Sequence, residues 1–186
     1  MKNLNDKRVI STEIKLKQAL CSILLIKKIN DVSIKELTTI ADVNRVTFYQ
    51  HYKSPIEFYE KTKNDFLKKI MSNVQTIQTL QLDDFIKIII KTIMDDISYC
   101  KAIMGKHGDE QIIERILQLA KSIAINYWKQ QNINLTNKQA DYLYAFISGG
   151  LIRIIRQWLQ GNLNLDIDDI VNMSKKMIND YQKLFI

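Results

Sequence analysis

Proline occurs once in 186 residues and glycine five times, which leaves little material for the tight turns that join strands. No period-two apolar alternation appears either, so the sequence excludes a β-rich fold and predicts an all-α one. The two cysteines, Cys21 and Cys100, lie inside apolar runs without metal-ligand spacing. They predict structural thiols in a reducing compartment, not a disulfide framework or a zinc site. Histidine stands only at positions 51 and 107, neither with a second ligand one helical turn away. A phosphate-cradling glycine loop and a Gly-x-Ser-x-Gly nucleophile elbow are both missing. His107-Gly108-Asp109-Glu110 reads as a turn with a helix cap, and Asp95-Asp96 as a solvated helix edge. No enzyme activity, metal or cofactor is expected. No apolar run approaches the roughly 18 residues needed to span a bilayer, and the first ten residues lack the apolar core of a signal peptide. A cytoplasmic protein with no membrane partner is the expectation.

Charge is what the sequence has in excess. Lys and Arg number 27 against 20 Asp and Glu, a net charge of +7, and residues 1–56 hold ten of the basic and five of the acidic side chains. Such asymmetry suits a polyanion, since each neutralised phosphate releases counterions. Anionic lipid is the competing partner. A lipid surface requires a large apolar face beside the cations, and the stretch with the most distinctive chemistry spends its apolar face on packing.

That stretch is Ser33–Tyr52. Ser33 followed by Glu36 is a capping box; Ile34, Leu37, Ile40 and Ala41 then recur at helical spacing, with Lys35, Thr38 and Thr39 on the other face. The helix stops at Asp42-Val43, and Asn44 caps a second one. Phe48 and Tyr52 are spaced to pack inward. No acid falls between Asn44 and Ser54, whereas Arg45, Gln50, His51 and Lys53 are joined by the hydroxyls of Thr47, Tyr49 and Tyr52. Those are groups that read base edges and grip phosphates. On composition alone an ordinary polar surface helix also fits.

TIADVNRV followed by TFYQHYKS resembles the helix-turn-helix signature of the tetracycline-repressor (TetR) family of one-component regulators, over about Thr12 to Glu57. Asp42 stands where that family usually has glycine, and Pro55 where lysine is common. The resemblance implies that the second helix enters the major groove, with base-edge roles for Arg45, Val46 and Gln50. Thr12, Thr47, Tyr49, His51 and Lys53 would face phosphate, with Lys35 near the groove and the cap Asn44 in the same set. It also implies a helix-turn-helix domain at 1–56 and a helical effector-binding and dimerisation domain at 57–186. The expected function is a homodimeric, sequence-specific regulator bound to a near-palindromic operator on double-stranded DNA, a repressor released by a small-molecule effector of unknown identity. A dimeric DNA-binding co-regulator or adaptor without such a ligand is the alternative.

Along the chain, residues 1–10 read as a basic arm, followed by a helix from Ser11 or Thr12 to Lys28 with Ile14, Leu20, Ile23 and Leu24 inward. Ser54, Pro55 and Glu57 open a long fourth helix. Thr76–Leu82 reads as a loop, the next helix as breaking near Ser98 or Gly105, and Asp109, Thr136 and Asp166 as caps of later ones. Phe66, Ile70, Tyr99, Met104, Trp128 and Tyr144 are large side chains that could line an effector pocket, although ordinary core explains each of them. Leu143–Leu159 is apolar almost all the way around, so it needs cover on every side. With Gly149-Gly150 at its centre, it and the last helix predict a four-helix dimer interface through Phe146, Gly149, Gly150, Arg153, Ile154, Ile170, Met177 and Tyr181. A helix buried within one subunit is the competing explanation.

Overall fold

The structure is a computed structural model that describes residues 7–75, 82–161 and 166–182. Among the described residues there are nine α-helices and no strand: α1 Lys7–Leu24, α2 Ile34–Ile40, α3 Arg45–His51, α4 Pro55–Gln75, α5 Leu82–Asp95, α6 Ile97–Met104, α7 Glu110–Gln130, α8 Asn137–Leu159 and α9 Ile167–Gln182. The all-α expectation holds. The loop expected at Thr76–Leu82 lies outside the described residues except for Leu82, which begins α5. None of the described helices is long and apolar enough to cross a membrane.

The chain packs as two units, Met1–Leu67 with Asp96–Glu110 and Lys68–Asp95 with Gln111–Ile186. The packing boundary falls inside α4, and α6 joins the first unit, so the packing units do not follow the division expected at 56/57. In the first unit α1 lies against both α2 and α6. Its buried stripe is Leu16, Ala19, Leu20, Ile23 and Leu24. α1 begins earlier than the capping pattern suggested, because nothing between Lys7 and Ser11 breaks a helix; Lys7 and Arg8 are therefore helical rather than part of an arm. It also ends earlier, at Leu24, where the amides of Ile26 and Lys27 both turn back onto the Ile23 carbonyl. Ile14 is 53% exposed, against expectation. It sits two residues from the fully buried Leu16 and so points to the other side of the helix.

α2 corrects a second expectation. Thr38 is 2% exposed and Ile40 faces solvent. With Leu37 and Ala41 inward, the centre of the buried stripe falls toward Thr38 and away from Ile40. The buried hydroxyl is satisfied locally, donating to the carbonyls of Ile34 at 2.7 Å and Lys35 at 3.2 Å. Half of the expected capping box forms: Ser33 Oγ accepts from the Glu36 amide at 3.2 Å, while the Glu36 carboxylate takes Lys27 Nζ at 2.6 Å.

Two ties hold the segment 96–110 within the first unit. Lys17 on α1 pairs with Asp96. On α4, Tyr59 Oη donates to Asp109 Oδ2 at 2.8 Å, with the buried Lys63 3.4 Å from the same oxygen and 2.5 Å from Glu60. Between them, Gly105–Asp109 makes a turn in which a Cβ on Gly108 would stand 1.9 Å from the Ile103 carbonyl oxygen. Glycine is required there. Helix breaks occur at both expected places: at Asp96, two residues before Ser98, between α5 and α6, and at Gly105, the C-cap of α6.

The second unit is built around two apolar clusters. Ala124, Trp128, Ile133, Ala140 and Leu143 join the end of α7 to the start of α8, which Thr136 and Gln139 open with a complete capping box. Ile86 and Ile90 of α5 meet Ile170 and Ile178 of α9, with Ile147, Leu151, Ile154 and Trp158 of α8 packed alongside.

Burial keeps several weak acids of the first unit protonated to higher pH than usual. Burial pushes the Cys21 thiol up to about 12 from 9.0. Burial, helped by bonds to Glu13 and Asp109 respectively, holds the Tyr52 and Tyr59 phenols well above 10.0, and burial does the same for Tyr99. A raised folded-state pKa favours the protonated form, so this contribution is fully present below the ordinary values of 9.0 to 10.0 and is lost progressively as pH rises from there toward the raised folded-state values, about 12 for Cys21. The thermal midpoint followed by circular dichroism should decline progressively above about pH 9. A midpoint that holds steady to pH 12 would contradict these placements.

Candidate nucleic-acid interface

The candidate surface is assembled by three local devices. Asp42 adopts a left-handed backbone at φ 51°, which an acid or amide visits more readily than other residues and which turns the chain sharply after α2. Asn44 then caps α3, its Oδ1 accepting from the Val46 amide at 2.8 Å. Phe48, at 0% exposure, pins the inner face of α3, with its ring 5.7 Å from that of Tyr52.

The remaining α3 side chains follow from that anchor. At 3.6 residues per turn, Val46 and Gln50 lie within about 20° of the direction opposite Phe48. Both are exposed, Val46 to 65%. Arg45 and Tyr49 are exposed along one flank, and Thr47 and His51 are half-buried along the other. Lys53 is exposed just past the helix, although its backbone amide is held by Glu57 Oε2 at 2.7 Å. On the supporting elements, Lys35 is exposed, and Thr12 is half-buried with its hydroxyl donating to the Arg8 carbonyl at 2.9 Å. Tyr52 is different from the rest of the expected hydroxyl set. It is buried, and its Oη donates to Glu13 Oε1 at 2.5 Å, so it supports the face from behind.

Electrostatics favour an anionic partner. Three carboxylates near this surface are engaged: Asp42 by Lys15 at 3.4 Å, Glu36 by Lys27 at 2.6 Å and Glu13 by Lys61 at 3.1 Å. Among the described residues no ion pair involves Lys35, Arg45 or Lys53. The cations on the outward side are thus left uncompensated. The sequence showed the acid-free run, but the pairing of Glu13 with Tyr52 and Lys61 joins residues 39 and 48 apart and leaves no local signal.

The six side chains expected to line an effector pocket are not gathered into one site within either unit. Phe66, Tyr99 and Met104 fall in the first unit, where Phe66 and Tyr99 pack edge-on at 5.2 Å; Ile70, Trp128 and Tyr144 fall in the second. Tyr144 is tied up as core, its Oη donating to the Leu117 carbonyl at 2.5 Å and its phenol pushed by burial up to about 12. Of the six, Trp128 lines an open cleft of ≈ 340 Å³ formed with Ile125, Ile133, Leu135, Ala140 and the Lys121–Asp141 pair, which the sequence reading did not foresee.

On α8 and α9, Phe146, Gly149, Gly150, Arg153, Met177 and Tyr181 are all exposed, and the rings of Phe146 and Tyr181 meet edge-on at 4.9 Å. Cβ atoms added at Gly149 or Gly150 would meet nothing within 4 Å, so packing within the subunit does not demand glycine there. Ile154 is half-buried. Ile170, at 3% exposure, belongs to the inner cluster with Ile86 and Ile178 and is removed from the outward set. Its position three residues before the exposed Met173 made the two faces hard to separate by spacing.

Residues 80–180 match a TetR-type family model described as transcriptional regulator C-terminal region. The chain belongs to the TetR family of transcriptional regulators. Members of the TetR family are regulators and not enzymes, and binding DNA as repressors is typical of them. No curated protein matches the chain in sequence. Solved structures of similar fold include the dihydroxyacetone kinase operon activator DhaS, at 10% identity and TM-score 0.65 over 95% of this chain and 98% of that one. A TetR transcriptional regulator from Streptococcus agalactiae is similar at 16% identity and TM-score 0.62, over 94% and 97%. The fatty acid degradation regulator FadR from Bacillus halodurans is similar at 12% identity and TM-score 0.62, over 89% and 93%.

Because Tyr52 holds the face from behind, Tyr52→Phe should cost about 1.5–3 kcal/mol of stability by removing a bond to a charged acceptor. Urea unfolding would read this as a lower midpoint at unchanged slope, and an unshifted midpoint would dismiss the strut.

Proposed function

We propose that this protein is a homodimeric, sequence-specific DNA-binding transcriptional regulator, a repressor released from its operator by a small-molecule effector. The observation that carries the proposal is the outward face of α3: free of acid, anchored by Phe48, and flanked by uncompensated Lys35, Arg45 and Lys53. Residues 1–56 form the DNA-binding domain and 57–186 the effector-binding and dimerisation domain. Arg45, Val46 and Gln50 read base edges. Thr12, Lys35, Thr47, Tyr49, His51 and Lys53 position the domain on phosphate, with Asn44 setting the start of the helix. Dimerisation is supported by the exposed stripe of Phe146, Gly149, Gly150, Arg153, Met177 and Tyr181. Two domains on one duplex face would stand about 34–36 Å apart or a multiple of that. An effector that prefers one conformation shifts operator affinity by its coupling energy, typically about 1–3 kcal/mol.

The test is selection of bound duplexes from the genomic DNA around the gene, with and without cell extract. Recovery of a near-palindrome whose binding the extract weakens supports the whole proposal; recovery unaffected by extract favours the ligand-free alternative, and no recovery rejects DNA recognition. On the recovered duplex, Lys35→Ala and Lys53→Ala should each reduce the salt slope by about 1 and weaken all sequences alike, whereas Arg45→Ala should relax preference at one position by about 1–3 kcal/mol. The same behaviour from all three would refute the division of labour. Gly150→Leu should shift the protein from dimer to monomer in sedimentation velocity, and a dimer that persists would discard the close-approach role.

A further inference from the structure

On the reading above, α3 meets base edges, and its geometry says which edge feature the centre of the helix faces. Val46 is directly opposite the buried Phe48, 65% exposed, and one turn before Gln50. Its neighbours on the exposed face, Arg45, Tyr49 and Gln50, all carry hydrogen-bonding groups. An isopropyl group has none. It cannot satisfy the donors and acceptors of guanine, adenine or cytosine edges, and it would desolvate them at a cost. One major-groove feature suits it: the C5-methyl group of a pyrimidine, an apolar protrusion that guanine, adenine and unmethylated cytosine lack.

We propose that Val46 is a specificity-determining residue that reads a pyrimidine C5-methyl group near the centre of each half-site. The interaction is burial of methyl against methyl. Its backbone is fixed for the purpose, since the Asn44 cap holds the Val46 amide at 2.8 Å and Phe48 sets the rotation of the helix. The methyl group has two natural carriers, thymine and 5-methylcytosine.

The test uses a duplex recovered by selection with the intact protein from an unmodified random library and, in parallel, from a library carrying 5-methylcytosine. Each thymine of the recovered site is replaced in turn by deoxyuracil, which removes the methyl group and keeps the pairing edge. One position per half-site should lose about fourfold in affinity, the effect of about one buried methyl group. Val46→Ala, an exposed change that leaves the core untouched, should bind the thymine and deoxyuracil duplexes within about twofold of each other at that position. If the methylated library alone yields tight sites, 5-methylcytosine is the carrier, and cytosine in its place should show the same fourfold loss with the same dependence on Val46. Recovery of a duplex that binds equally well without any C5-methyl group overturns this inference and leaves DNA recognition standing. A penalty undiminished in Val46→Ala also overturns it. Failure to recover any duplex from either library overturns DNA recognition itself, and the assignment of Val46 with it.

Discussion

The seven residues of α3 are too few to hold a helix on their own, since isolated helices shorter than about 12–15 residues are marginal in water. Phe48 supplies what the length does not. Fully buried, it contributes about 1.5–3 kcal/mol of transfer free energy, and Tyr52 adds a second inward ring fastened to Glu13. With the inner face secured, the outer face has no structural duty. Val46 can be apolar and exposed, and Arg45 and Gln50 can be selected for what they meet outside the protein. The left-handed Asp42 and the Asn44 cap fix where the helix starts, while Phe48 fixes how it is rotated. Every functional assignment on this surface depends on that rotation.

The charges around α3 follow the same economy of roles. Glu13, Glu36 and Asp42 are each met by a lysine of the same unit, whereas among the described residues Lys35, Arg45 and Lys53 have no ion pair. Solvent-exposed pairs of this kind contribute little to stability. Their consequence here is electrostatic: they remove negative potential from beside a surface whose proposed partner is a polyanion.

What was legible in the sequence was local. Ser33, Asn44, Ser54, Thr136 and Asp166 announce helix starts because a cap is a bond to an amide two or three residues on. The acid-free run of α3 and the inward spacing of Phe48 and Tyr52 were equally visible. Burial at the margin of a stripe was not: Thr38 and Ile40 exchange the places their polarity suggests, and Ile14 faces water, because the neighbours that cover a helix are set by tertiary packing. The ties of Lys17 to Asp96 and of Tyr59 and Lys63 to Asp109 join distant stretches and have no sequence signature. The six side chains expected at an effector pocket fall in two separately packed units, because large apolar side chains mark core wherever they occur. Ile170 was misplaced on a helix with two apolar sides, one covered by α5 and one open.

On α8 and α9 the open side is a surface in search of cover, with Phe146, Met177 and Tyr181 exposed around two unconstrained glycines. A second copy of the chain covering it would present two α3 helices to one duplex, each reading its own half-site. Dimethyl sulfate interference on a bound duplex examines this most directly, because the reagent marks guanine N7 in the major groove and adenine N3 in the minor groove together. Major-groove entry by α3 predicts interference at guanine N7 in two clusters separated by about one helical turn, 10–10.5 base pairs, or a multiple of it. Interference restricted to adenine N3, with guanine N7 silent throughout the site, would contradict it.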